Sequence, residues 1–167
     1  PLGKMSSSPA EFSIAPQQGR EQKPSRDRPP PYSEDAEQAV LGAMLLDANA
    51  IVRAVELVDE TMFYREAHRR IFRAALALNQ AGAVFDPVTL CNELERQGTL
   101  AAAGGKDYIG VLLDVVPTAA NVEYHLKIVK EKALRRRLIE VAQGLSVVAL
   151  ESPADAAALI GLAEHRV

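Results

Sequence analysis

Between residues 119 and 150 the chain carries no proline and a single glycine, Gly144. Within that stretch Val122, Leu126, Val129 and Ala133 recur at steps of four, three and four. After a shift of one residue, Leu134, Leu138, Val141, Leu145 and Val148 continue at the same spacing. This pattern predicts one helix of about 30 residues, roughly 45 Å long, bearing a coiled-coil-like seam with a break in phase. Such a helix outreaches a small globular head, so its seam needs another surface to cover it. A second copy of the chain is the simplest cover. Ser152-Pro153-Ala154-Asp155 offers a cap, a first-turn proline and an acidic position for one more helix. Ala157, Ile160, Leu162 and Ala163 give that helix an apolar side, so 118–167 reads as a long helical hairpin.

The remainder points to an all-α fold: a small globular helical head followed by that hairpin. Hydrophobic residues make up 48% of the chain, enough for one core, while aromatics at 5% leave little of the usual strand filling. Ser33 can cap a helix on which Ala36, Val40, Leu41, Met44 and Leu45 recur, with Glu34, Asp35 and Glu37 near its positive end. A second helix is expected over 50–58, with Ile51, Val55 and Val58 inward. A third is expected over 65–80, presenting Ile71, Ala75 and Leu78 and closed by Gly82. Asp86-Pro87 starts a fourth, carrying Val88, Leu90 and Leu94 and ending near Gly98. Gly104-Gly105 turns the chain into a helix over 106–115 that stops before Pro117. The head thus spans 32–117. Ahead of it, residues 1–31 are Pro- and Ser-rich and hold too little apolar area to offset ordering, so they are expected to be disordered. Pro1-Leu2-Gly3-Lys4 resembles a cleaved-tag remnant, with Met5 as the start. Pro29-Pro30-Pro31 could alternatively serve as a polyproline ligand.

No motif in the chain calls for catalysis. Gly104-Gly105-Lys106 lacks the upstream glycine, the following Ser or Thr and the preceding strand of a phosphate-binding loop. His68, His125, His165 and Cys91 are scattered without metal-ligand spacing, and Cys91 has no basic partner in sequence to activate it. His68 is expected to pack or hydrogen-bond within the head. Glu93 and Glu95 beside Arg96 read as a solvated face. One cysteine excludes an internal disulfide framework and fits a reducing, cytoplasmic setting, and no apolar run is long enough to span a bilayer. No cofactor or metal is therefore expected on this chain.

The strongest charge feature is the run Lys127, Lys130, Lys132, Arg135, Arg136 and Arg137, opposed by Glu131 alone. It reads either as a contact for nucleic acid or an acidic partner, or as a solvated helix face whose arginine stems cover apolar neighbours. The formal net charge of -3 gives the whole chain no strong pull on DNA. No base-stacking aromatic lies within the run.

Several blocks in order carry a family resemblance. Residues 33–47, from Ser33-Glu34-Asp35-Ala36-Glu37-Gln38 through Leu41-Gly42 to Leu45-Leu46-Asp47, resemble the opening signature of the DnaB-type helicase N-terminal domain. Phe63-Tyr64 with His68-Arg69 and Ile71-Phe72, then Asp86-Pro87-Val88-Thr89-Leu90 with Glu93-Leu94, are similar to its next two blocks. Gly104-Gly105 with Tyr108, Pro117-Thr118-Ala119-Ala120-Asn121, and Ile128-Val129 with Arg136-Arg137-Leu138-Ile139 resemble those that follow. The resemblance implies the collar domain of a replicative helicase, which pairs through its hairpins, assembles as a trimer of dimers over the motor ring and docks the C-terminal domain of primase. ATP and Mg belong in that family to a RecA-like motor beyond a linker, absent from this chain. It further implies Leu134, Leu138, Val141, Leu145 and Val148 as the hairpin and pairing surface. Tyr108, Ile139 and Leu145 resemble positions around the primase dock, with Tyr108 expected to expose a polar-tipped ring. Phe63, Tyr64, His68, Ile71 and Phe72 are taken as head core. The competing expectation is an independent helical DNA-binding regulator using the basic face 127–137.

Overall fold

The computed structural model describes residues 28–116, 118–151 and 155–166. Seven α-helices and no strand occur among the described residues. They are α1 Glu34–Leu46, α2 Ala48–Leu57, α3 Glu66–Gln80, α4 Pro87–Arg96, α5 Gly105–Val115, α6 Val122–Glu151 and α7 Ala156–Arg166. Short 3-10 turns at Glu60–Met62 and Ala119–Asn121 precede α3 and α6.

Local chemistry accounts for the helix starts. Ser33 caps α1 by accepting from the Ala36 N–H, and Asp47 caps α2 through the Asn49 N–H. At α4 Asp86 and Thr89 form a reciprocal capping box, with Pro87 at the first helical position where its missing N–H costs nothing. Gly82 and Gly98 follow the ends of α3 and α4 with left-handed backbones, at φ 62° and 67°.

Around α1 the other head helices gather: α2, α3, α5 and α6 all pack against it. Positions Ala39 to Leu45 are buried on every side, so α1 is apolar all round, as a central helix must be. Its small residues set how closely a neighbour can come. A Cβ on Gly42 would lie 2.3 Å from the Leu112 carbonyl oxygen and 3.0 Å from Val116 Cγ2, which makes this glycine the point of closest approach between α1 and α5. Phe63 and Phe72 pack with centroids 4.9 Å apart in the same core, beside Ile71, Leu90, Leu94 and Leu112.

Several sequence expectations are corrected. On α2 the inward residues are Ala50, Ile51 and Ala54, followed by Val58 just past its end; Val55 is exposed because the core-facing stripe runs through Ala50 and Ala54, one turn apart. The head does not stop at position 117, since Val122, Leu126 and Val129 of α6 are buried in its core. The proposed start of α6 at 119 is instead a 3-10 turn capped by Thr118. α7 begins at Ala156, where Asp155 accepts from the Ala158 N–H at 3.0 Å. Residues 152–154, with the expected Ser152 cap and Pro153, lie outside the described residues. So do 1–27, which hold most of the expected disordered tail; but 28–33 are described, and Pro31 and Tyr32 are engaged with the head.

The Gly42→Ala variant should lose about 1–3 kcal/mol of stability, because the added methyl forces α1 and α5 apart. A urea melt by circular dichroism checks this; an unchanged midpoint would mean the two helices separate freely.

Candidate interaction surface

Two carboxylate and imidazole side chains sit where only apolar ones would be expected. Glu37 shares the α1 stripe with Val40, Leu41 and Met44, and His68 shares the α3 stripe with Ile71, Phe72 and Ala75. Both are buried, and they meet: His68 Nδ1 lies 2.6 Å from Glu37 Oε2. The other imidazole nitrogen lies 2.6 Å from the Tyr108 hydroxyl on α5, which also accepts from the Gln38 amide at 3.1 Å. Donors and acceptors balance when Nδ1–H donates to Glu37 and Nε2 accepts the Tyr108 proton. The second Glu37 oxygen accepts from the Tyr64 N–H at 2.7 Å, so α1 holds the chain entering α3 as well.

This arrangement adds to one sequence reading and revises two. Glu34, Asp35 and Glu37 all stand in the first turn of α1 as expected, but Glu37 is buried and Glu34 also pairs with Arg65. Tyr108 does not expose a polar tip: its hydroxyl is tied inward and its ring is half-buried, stacked at 5.9 Å from the His68 ring. Gly104 makes that placement possible, since a Cβ there would come within 2.7 Å of Tyr108 Cβ, and its φ of 99° suits glycine. Phe63, His68, Ile71 and Phe72 are core, whereas Tyr64 is half-buried and stacks on Tyr32.

Beyond the head, the α6 stripe changes face. Leu134 and Leu138 are 54% and 59% exposed, and Ile139 beside them 43%. Val141, Leu145 and Val148 are half-buried, and α7 packs against α6. The one-residue phase shift explains the division. It rotates the second half of the seam by about 100°, away from the face that Val122, Leu126 and Val129 present to the head.

The basic run is broken up by the fold. Arg135 pairs with Glu131 at 2.8 Å. Arg136 is spent on the head, donating to the Pro31 and Met62 carbonyls at 2.7 and 2.6 Å. Lys127, Lys130 and Arg137 are exposed and Lys132 half-buried. Glu93 was read as solvated, but it is buried beneath Arg96 and Gln97, whose donors hold its carboxyl below the ordinary range. Glu95 reaches Lys106 on α5 at 3.0 Å. Burial pushes the Cys91 thiol up, against any thiolate role. Among the described residues no group of three or more His, Cys, Asp or Glu is placed to hold a metal. No helix among them is long and apolar enough to cross a membrane.

The molecule is thus a helical head with a buried polar relay, drawn out into a long helix that carries an uncovered apolar stripe. The chain belongs to the DnaB-like helicase N-terminal domain family, whose model matches residues 29–131. The replicative DNA helicase DnaB of Geobacillus stearothermophilus is 48% identical over 120 residues, a match covering 72% of this chain and 26% of the relative. The chain therefore spans about a quarter of that relative's length. The solved N-terminal domain of the DnaB helicase from Mycobacterium tuberculosis is 40% identical with a TM-score of 0.77, over 83% of this chain and 97% of that one. The N-terminal domain of DnaB helicase from Helicobacter pylori shares the fold, with a TM-score of 0.61 at 19% identity over 70% and 91% of the two chains.

Replacing Glu37 with Ala strands the buried His68 and the Tyr64 N–H and should cost about 3–5 kcal/mol. Tyr108→Phe removes one hydroxyl and should cost about 1–2 kcal/mol. Guanidinium unfolding measures both, and equally small losses would mean the relay is hydrated rather than dry.

Proposed function

We infer that this chain works as the collar domain of a replicative DNA helicase, pairing with further copies through α6 and α7 and receiving primase. The observation that carries this reading is the uncovered stripe at Leu134 and Leu138. It stands past the last α6 residue buried in the head, with Leu134 at the edge of the cleft that faces Met62 and Arg69 and Leu138 one turn further out. Leu134 and Leu138 are already partly covered, so burying the rest of each against a partner would contribute about 1–1.5 kcal/mol, and a two-fold pairing would bury both leucines from each copy. Val141, Leu145 and Val148 would continue that surface along the hairpin.

Primase docking is supported by kinship: the Helicobacter pylori domain of the same fold was solved for its interactions with primase. Ile139 is an exposed aliphatic that could contribute, with the half-buried Leu145 about one and two-thirds turns further on. Tyr108, tied to His68, would act by holding α5 in place or by its ring edge, not by offering its hydroxyl. On this reading three pairs would form the collar, ATP and Mg would serve a motor elsewhere in the parent helicase, and the chain would work in the bacterial cytoplasm at replication forks. The alternative of an independent DNA-binding regulator loses Arg136, which is committed to the Pro31 and Met62 carbonyls, and shares Arg135 with Glu131, while Lys127, Lys130 and Arg137 stay exposed.

Light scattering across a concentration series should show association that Leu138→Asp reduces to monomer with unchanged helicity. A primase C-terminal domain should retain the chain on a column, and Ile139→Asp should release it. A strict monomer at high concentration, or no retention of the unaltered chain, would overturn the corresponding half of the reading.

A further inference from the structure

The segment 28–33 forms no regular structure, yet it is fastened to the head at two points. The Arg136 guanidinium donates from one terminal nitrogen to the Pro31 carbonyl and from the other to the Met62 carbonyl. Its central carbon lies 5.6 Å from the Tyr64 ring centroid, and the same ring stacks on Tyr32 at 4.5 Å with 20° between planes. Tyr64 is itself fixed by Glu37 through its N–H. One cation thus joins the leader, the turn before α3 and α6.

The position of this junction along α6 matters. Val129 is the last α6 residue fully buried in the head, and Ala133 is half-buried. At the level of Arg136 the 3-10 turn Glu60–Met62 still lies against α6, but a cleft of about 480 Å³ opens beside it, lined by Thr61, Met62, Arg69, Leu134, Arg137 and Glu140 among others. The two guanidinium hydrogen bonds are the polar ties across this thinly packed level. Immediately beyond come Leu138 and Ile139, both exposed.

We propose that residues 28–33 are a strap whose closure, through Arg136 and Tyr64, fixes the direction in which the distal half of α6 leaves the head. Opening the strap frees the Pro31 and Met62 carbonyls and the guanidinium to water, and Tyr32 is already 38% exposed. The core beneath, at Leu126 and Val129, stays covered, so the strap can open as a local event without unfolding the head. With it open, the helix from 134 onward keeps α7 as a companion but loses its polar ties to the head beside the cleft, and is free to swing. The strap thereby couples whatever acts on the leader to the stance of the exposed stripe. The coupling is a property of a single chain and stands whether or not the stripe pairs.

The test uses the full chain in a Leu138→Asp background, which removes pairing through the stripe, with Arg136→Gln and Tyr32→Ala as separate variants. Arg135→Gln serves as control, since Arg135 pairs only with Glu131 on its own helix. Amide exchange at 134–140 should quicken about fivefold or more in both variants, and the distance distribution between spin labels at Asn92 and Gln143 should broaden. Amides of 40–45 in α1 should keep their protection, and the control should change neither quantity. Unchanged exchange at 134–140 in both variants would overturn the proposal, as would an equal gain at 40–45, which would make the tie part of global stability. Tyr32→Ala keeps the test decisive if Arg136→Gln folds poorly, because Tyr32 lies outside the core.

Discussion

The contact between Glu37 and His68 is the constraint on which the rest of the molecule turns. A carboxylate and an imidazole buried on facing apolar stripes cannot be left unpartnered without a penalty of several kcal/mol. Their meeting therefore fixes α1 against α3 in one register. Tyr108 extends the requirement to α5, and the Tyr64 N–H extends it to the chain leading into α3. Apolar contacts alone would tolerate sliding between these helices; directional hydrogen bonds do not. The same relay sets the Tyr64 ring and the Met62 carbonyl where Arg136 finds them, so the exit of α6 is governed at second hand by a pair buried in the head.

α6 is one continuous helix with two environments. Its first turns complete the head through Val122, Leu126 and Val129, and its later turns carry Leu134 and Leu138 into solvent. No break in the backbone marks the change; a one-residue shift in the apolar spacing does. Because a helix advances 100° per residue, that shift suffices to hand the stripe from an intramolecular surface to one facing elsewhere. Head and hairpin are thus mechanically joined, and anything that changes the angle of α6 at Arg136 changes how the stripe is presented.

The arginines beside that junction show how little a charge run says by itself. Six basic residues in eleven positions suggest a polyanion site, but the fold spends them separately. Arg136 goes to backbone carbonyls, Arg135 to Glu131, and only part of the run remains open to solvent. Arginine suits such a junction because its planar fork can satisfy two carbonyls at once while its stem and face lie against an aromatic ring.

The order and type of the helices were legible in the chain because each rests on local chemistry: Ser33 and Asp86 as caps, Pro87 at a first helical position, Gly82 and Gly98 as stops, and periodic apolar residues between them. The α6 stripe and its phase shift were legible for the same reason. Even Glu37 and His68 left a trace, as polar residues on apolar stripes, although nothing local says that each is the other's partner across 31 positions. Which helix faces meet, that Tyr108 points inward, that Ala54 rather than Val55 fills the core, and that Arg136 binds the leader were all decided by tertiary packing. Helix propensity and capping depend on neighbours within about four residues and are written in the sequence. Burial and hydrogen-bond partnership depend on what the rest of the chain brings alongside, which no single segment contains.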